Sequence, residues 1–177
     1  CWATERDWSE RAIQAFREET GILEIPRQPG DPFYFEYKEF CREQFRRYLR
    51  HYVDELHRHH PQFEIASNWA YTSFMPEPVT VEVDYISGDF TLQDSVNSAR
   101  LEGRCMAHQG KPWDLMAWGF SRRFGASTGE KPEHANCTKS PTQLKQEAAV
   151  ALALGGGFQV YFPQKRDGSV RLWEMDV

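Results

Sequence analysis

No stretch of this 177-residue sequence approaches the roughly 20 consecutive apolar residues that cross a membrane, and its longest apolar run, AAVALALGGGF, is short and ends in glycines. An excess of positive charge is missing as well. Lys and Arg number 21 against 26 Asp and Glu, for a net charge of −5. The cations are interleaved with acids instead of gathered, which argues against nucleic acid or an anionic membrane surface as partner. Cysteine is sparse: Cys1, Cys41, Cys105 and Cys137 lie far apart without a CxxC pair. Their spacing supports neither a zinc site nor a disulfide framework, so no metal and no cofactor is expected. No internal repeat is present. What remains is a globular composition, 40% hydrophobic and 14% aromatic, sufficient for one core and one domain over residues 1–177.

The chain opens on Cys1, and CWATERDW leads into helical sequence within a few residues. A lipid-anchored cysteine normally leads into a polar tether, so the expectation is a fragment of a longer protein.

The organising stretch is Phe63 to Phe90, FEIASNWAYTSFMPEPVTVEVDYISGDF. FEIASNWAY and TVEVDYI alternate as strands, MPEP connects them, and SGDF breaks the second with a glycine. Asn68, Trp69 and Tyr71 close the first strand, while Asp84 and Asp89 bracket the end of the second. If the two are parallel neighbours, both clusters lie at the carboxyl edge of a sheet, where α/β folds place ligands.

Around this stretch the apolar spacing predicts helices over 7–20, 36–60 and 94–109, and a fourth from the Ser140-Pro141 cap to the glycines at 155–157. KPWDLMAWGF reads as a third strand, apolar on both faces and therefore buried, and FQVYF as a fourth with Gln159 and Tyr161 on one face. GILEIPRQPGDP and residues 123–140 read as long loops, the second a flap over a site. An Asp-Gly turn stands at Asp167 and Gly168. The order is helix, helix, strand, strand, helix, strand, helix, strand. Such a chain forms either a small open parallel sheet or one half of a closed barrel of eight strands.

At SNWAYTSFMPEPVTVEVDYISGDF, NSARLEGRCMAHQGKPWDLMAWGFS and QLKQEAAVALALGGGFQVYF the sequence resembles a group of bacterial glycoside hydrolases related to the alpha-L-fucosidases, which are (β/α)8 barrels. Three blocks in order extend the likeness over nearly the whole chain, from CWATERDWSERAIQAFREETG to the last strand. The resemblance implies an α/β fold that is the C-terminal part of a TIM barrel, with about four parallel strands, the fifth to eighth, and outer helices. It implies a glycosidase, with alpha-L-fucosidase among the activities, and a carbohydrate partner. The aspartate nucleophile of alpha-L-fucosidases closes the fourth strand, which would precede Cys1, so no residue here inherits that role. Two open strand edges would then invite homo-oligomers. The competing readings are an α/β module that binds carbohydrate without cleaving it, and a fragment completed by a partner half.

Glycoside hydrolysis needs two carboxyl groups flanking the scissile bond, one of them a proton donor. Asp89 is the first candidate, past the strand and beside the small Ser87 and Gly88; the alternative is a helix cap or turn residue. Asp84 either binds sugar hydroxyls or pairs with a helix cation. Glu5 is either an acid near the nucleophile strand or a solvated loop residue. Trp69, Tyr71 and Trp118 are candidates for stacking on sugar rings, and Asn68 and Gln159 for binding hydroxyls. Trp113, at the other end of its strand, reads as core. His57, His59 and His60 sit at a helix end ahead of Pro61, where cations favour the helix dipole, and read as a terminus more than a metal site.

Overall fold

The computed structural model describes residues 6–68, 77–90, 95–122, 129, 131, 136–162 and 164–170. The chain, read from sequence as one domain, divides into two compact units: Cys1–Phe63 with Val79–Glu82, and Glu64–Pro78 with Val83–Val177.

The first unit is helical. α1 (Glu10–Thr20) starts where the Ser9 hydroxyl accepts from the Ala12 amide and stops at Gly21, whose φ of 73° is the left-handed conformation that ends helices without a Cβ penalty. α2 (Tyr34–His59) runs 26 residues to the turn before Pro61. Its buried stripe includes Tyr37, Phe40 and Cys41, which form one core with Phe16 of α1. Phe16 meets Tyr37 and Phe40 edge-on at centroid distances of 4.8 and 5.4 Å, the arrangement ring quadrupoles favour. The Tyr37 hydroxyl donates to the Asp7 carbonyl at 2.6 Å, and burial pushes its phenol up to about 12. Outside, Glu43 lies between Arg46 and Arg50, and Glu19 accepts from Arg47 at 2.7 Å; the acids of α2 serve its charged face. At its end His59 lies 3.9 Å from Glu55, and among the described residues no group of three or more His, Cys, Asp or Glu is suited to a metal ion.

The second unit is a four-strand parallel sheet flanked by helices. Its strands are β1 (Ala66–Asn68), β2 (Tyr85–Asp89), β3 (Trp113–Trp118) and β6 (Gly157–Tyr161), hydrogen-bonded in the order β1-β2-β3-β6. β4 (Phe120–Arg122) and β5 (Asn136–Thr138) form a separate antiparallel pair, so the expected loop over 123–140 carries a strand near its end. α3 (Ser95–Ala107) crosses from β2 to β3, and α4 (Pro141–Ala153), capped by the Ser140 hydroxyl with Pro141 in its first turn, precedes β6. Each connection steps in the same direction across the sheet. Right-handed crossovers of that kind put both helices on one face, and α3 and α4 indeed touch, Gln143 donating to the Ser95 hydroxyl at 2.9 Å.

Alternation then sorts the side chains. Ile86, Leu115 and Ala117 are fully buried under the helices. A Cβ on Gly88 would stand 2.7 Å from the Met106 sulfur, which is why α3 can lie so close to β2. Opposite them, Asp114, Met116 and Trp118 are half-buried, and Gly157, Gln159 and Tyr161 are exposed. This corrects the expectation that the third strand is apolar on both faces. Trp113 is core, as its place at the strand start implied. A second correction concerns β2, which begins at Tyr85 and runs through Ser87-Gly88-Asp89. Val81 and Val83 are buried, which explains their alternation, yet they precede the sheet. The glycine expected to break the strand is tolerated because the Met106 side chain fills the space beside it.

Among the described residues no helix is long and apolar enough to cross a membrane.

Candidate functional site

The sheet face turned away from α3 and α4 collects the polar side chains that the sequence had spread over 90 residues. Register places Asn68 beside Ser87, Ser87 beside Asp114, and Asp114 beside Gly157. One step nearer the carboxyl edge, Asp89 pairs with Met116 and Met116 with Gln159. At the edge itself Trp118 pairs with Tyr161, their rings edge-on at 5.6 Å, with Phe120 against the other side of Trp118 at 5.5 Å. In a period-2 strand these residues share one face because each lies an even number of positions from the next.

Asp89 is the last residue of β2 and only 7% exposed. Burial raises its pKa above the usual carboxylate range; the Asn68 side chain opposes this by hydrogen bonding to the carboxylate, and the charge of Asp114 adds to the rise. Desolvation dominates because an ionised carboxylate loses most on leaving water. Among the described residues one oxygen, Oδ1, is buried with no hydrogen-bond partner, and so is Nε1 of Trp118. Buried polar atoms are rarely left so. This one face thus offers an unused acceptor and an unused donor.

Asp114 has the opposite character. The Ser87 hydroxyl donates to its Oδ1 and the Gln159 amide to its Oδ2, both at 2.6 Å. One partner comes from each neighbouring strand, so the carboxylate is fixed from both sides.

The other expected site residues divide. Asn68, Asp89, Trp118 and Gln159 come together on this face. Asp84 does not: it precedes β2 at the amino edge, where its carboxylate accepts from the Ile65 amide at 2.8 Å and its own amide donates to the Ile65 carbonyl at 3.0 Å. That double link joins the starts of β1 and β2. Glu5, Trp69 and Tyr71 lie outside the described residues. Among the described residues, hollows open at both ends of the sheet. One of about 420 Å³ at the amino edge is lined by Glu64, Asp84, Tyr85, Asp114 and Gly157 among others. Another of about 570 Å³, lined by Val160, Tyr161, Phe162 and Gln164, lies at the carboxyl end of β6.

Two groups escaped the sequence reading. Asp114 was hidden inside WDLMAW, although strict alternation separates Asp114, Met116 and Trp118 from the buried Trp113, Leu115 and Ala117. Lys139 gave no signal at all. Its ammonium is fully buried, 2.9 Å from the equally buried Glu147 and 5.2 Å from the centre of the Phe90 ring. Glu147 also accepts from the Ser95 hydroxyl. Burial holds the Lys139 pKa below its ordinary value, an effect that Glu147 partly offsets.

No protein-family model, curated protein or solved structure matches this chain. What fold and site define is a parallel α/β sheet with α3 and α4 on one face and, on the other, a carboxylate pair edged by aromatic rings.

Proposed function

We propose that this chain carries a glycoside hydrolase site of the alpha-L-fucosidase-like kind, with Asp89 as the proton donor and a carbohydrate as the substrate. The observation that carries the reading is Asp89 itself: a buried carboxyl with a raised pKa and an oxygen without a partner among the described residues, at the carboxyl end of a parallel strand. A general acid must hold its proton near working pH and release it to a leaving oxygen, and burial is the usual means of arranging that. Asn68 and Gln159 stand where they can meet hydroxyls. Trp118 and Tyr161 offer the ring faces on which sugar C–H groups stack, and Trp118 Nε1 offers a donor. The nucleophile is assigned to none of these residues.

We read the sheet as part of a (β/α)8 barrel. The unidirectional strand order supports this, since a doubly wound sheet reverses direction. In a barrel the face turned away from α3 and α4 points inward, and the carboxyl strand ends that hold Asp89, Asn68 and Trp118 form the active edge.

The test is a panel of aryl glycosides, fucosides included, assayed with the full-length protein and with its Asp89→Asn variant. Turnover should fall about 100-fold or more, the usual contribution of a general acid, while sugar binding measured by calorimetry persists. For the unsubstituted protein, kcat/KM should decline on the alkaline side as Asp89 loses its proton. Equal rates for both proteins would remove Asp89 from the chemistry.

A further inference from the structure

The fixed carboxylate of Asp114 has no part in the proton donation proposed above, and its hydrogen bonds are more than β3 needs to pair. Strand pairing requires only backbone groups, yet β2 and β6 each direct a side-chain donor at Asp114 across the strand boundary. Both donors are neutral, so they hold the charge in place without cancelling it. Gly157, beside Asp114 in register, has no side chain to cover it; a Cβ there would come within 3.1 Å of the Asp114 Cβ. Asp89 pairs with Met116, two residues along from Asp114 and on the same face. Strand spacing and rise put the two Cα atoms about 8 Å apart, close enough for the charges to interact across a half-buried face.

Among the described residues, few groups share the face of Asp89. β1 contributes the neutral Asn68, β3 contributes Asp114, and β6 beyond it contributes Gln159 and Tyr161. Behind the strand α3 brings Met106. Lys139, above the ring of the adjacent Phe90, is committed to Glu147. Among the described residues, then, the nearest fixed charge on this face belongs to Asp114.

We propose that Asp114 is a positioning residue of the site, acting through Asp89: Ser87 and Gln159 fix its negative charge beside the proton donor, which keeps the proton on Asp89 until a ligand takes it. This rests on Asp89 as the donor, but it can be tested without turnover. The Asp89 side-chain carboxyl is titrated by carbon NMR in the protein, in Asp114→Asn and in the double variant D114N/Q159E. The double variant returns a carboxylate to the same hydrogen-bonded pair with donor and acceptor exchanged, and it guards against a misfolded single variant.

The expected result is a downward shift of the Asp89 midpoint in Asp114→Asn and a midpoint much nearer the original in D114N/Q159E. Where turnover is measurable, the alkaline limb of kcat/KM moves the same way. An unchanged midpoint in Asp114→Asn, or equal shifts in both variants, overturns the proposal, because packing and not charge would then be the agent. Absence of glycoside turnover in the full-length protein, with the expected shifts present, would count against the hydrolase reading alone.

Discussion

Asp89 is costly to the fold for the same reason that it suits proton donation. A carboxyl whose folded pKa lies above its unfolded value binds more protons when folded, so its stabilising contribution is complete below about pH 3.9, the unfolded value, and is lost as pH rises through the folded midpoint. Above that midpoint a buried charge remains. Asp89→Asn should therefore be more stable than the original protein at neutral pH, and the difference should shrink towards zero as pH falls below the unfolded value. Denaturant titrations at a series of pH values check this; a gain that is independent of pH would show that ionisation is not its cause. The three glycines at 155–157 differ in their reasons at the same scale. Gly155 adopts a φ of 83° after α4, whereas Gly156 lies where a Cβ would be 2.4 Å from the Trp113 ring. The sequence signalled a helix stop for all three, and the ring contact was invisible in it because Trp113 is 43 positions earlier.

At the scale of elements, the buried Lys139–Glu147 pair joins the residue after β5 to α4, and through Ser95 to the start of α3. Removing one member leaves the other charge buried without its counter-ion, which typically costs about 3–5 kcal/mol. Lys139→Met should lower stability by that order. The double variant K139M/E147Q should recover most of it, since no unpaired charge remains. Equal stability of the single variant and the original protein would mean that Lys139 reaches water. The helices were legible in sequence because amphipathic stripes, the Ser140 cap and the stop at Pro61 act locally, whereas only the structure decides that Ser9 caps α1. β2 was less so. Val81 and Val83 alternate like a strand, and only pairing with β1 and β3 decides that the ladder begins at Tyr85. The shift of a few residues moved Asp84 to the amino edge and brought Asp89 inside the strand.

At the scale of the molecule, β1 and β6 are the outer strands of the four-strand sheet, and their outward backbone groups are templates for further pairing. If the sheet belongs to a barrel, the chain 1–177 studied alone should associate into dimers or larger species. Light scattering across a concentration series measures this, and a stable monomer throughout would weigh against the partial barrel. Its helical unit and its sheet unit each have their own buried residues, a division that composition could not reveal, since one hydrophobic fraction serves either arrangement.

The sequence by itself determined the helices and the Ser140 cap, the four sheet strands to within a few residues, and the candidacy of Asp89, Asn68, Trp118 and Gln159, because periodicity, capping and strand-end position are local properties. Tertiary structure alone decided that the strands stand in the order β1-β2-β3-β6, that Asp84 belongs to the amino edge, that Lys139 is buried against Glu147, and that Asp114 is fixed between Ser87 and Gln159 beside Asp89. Those are matters of register and burial, set by contacts between residues tens of positions apart, and no local pattern encodes them.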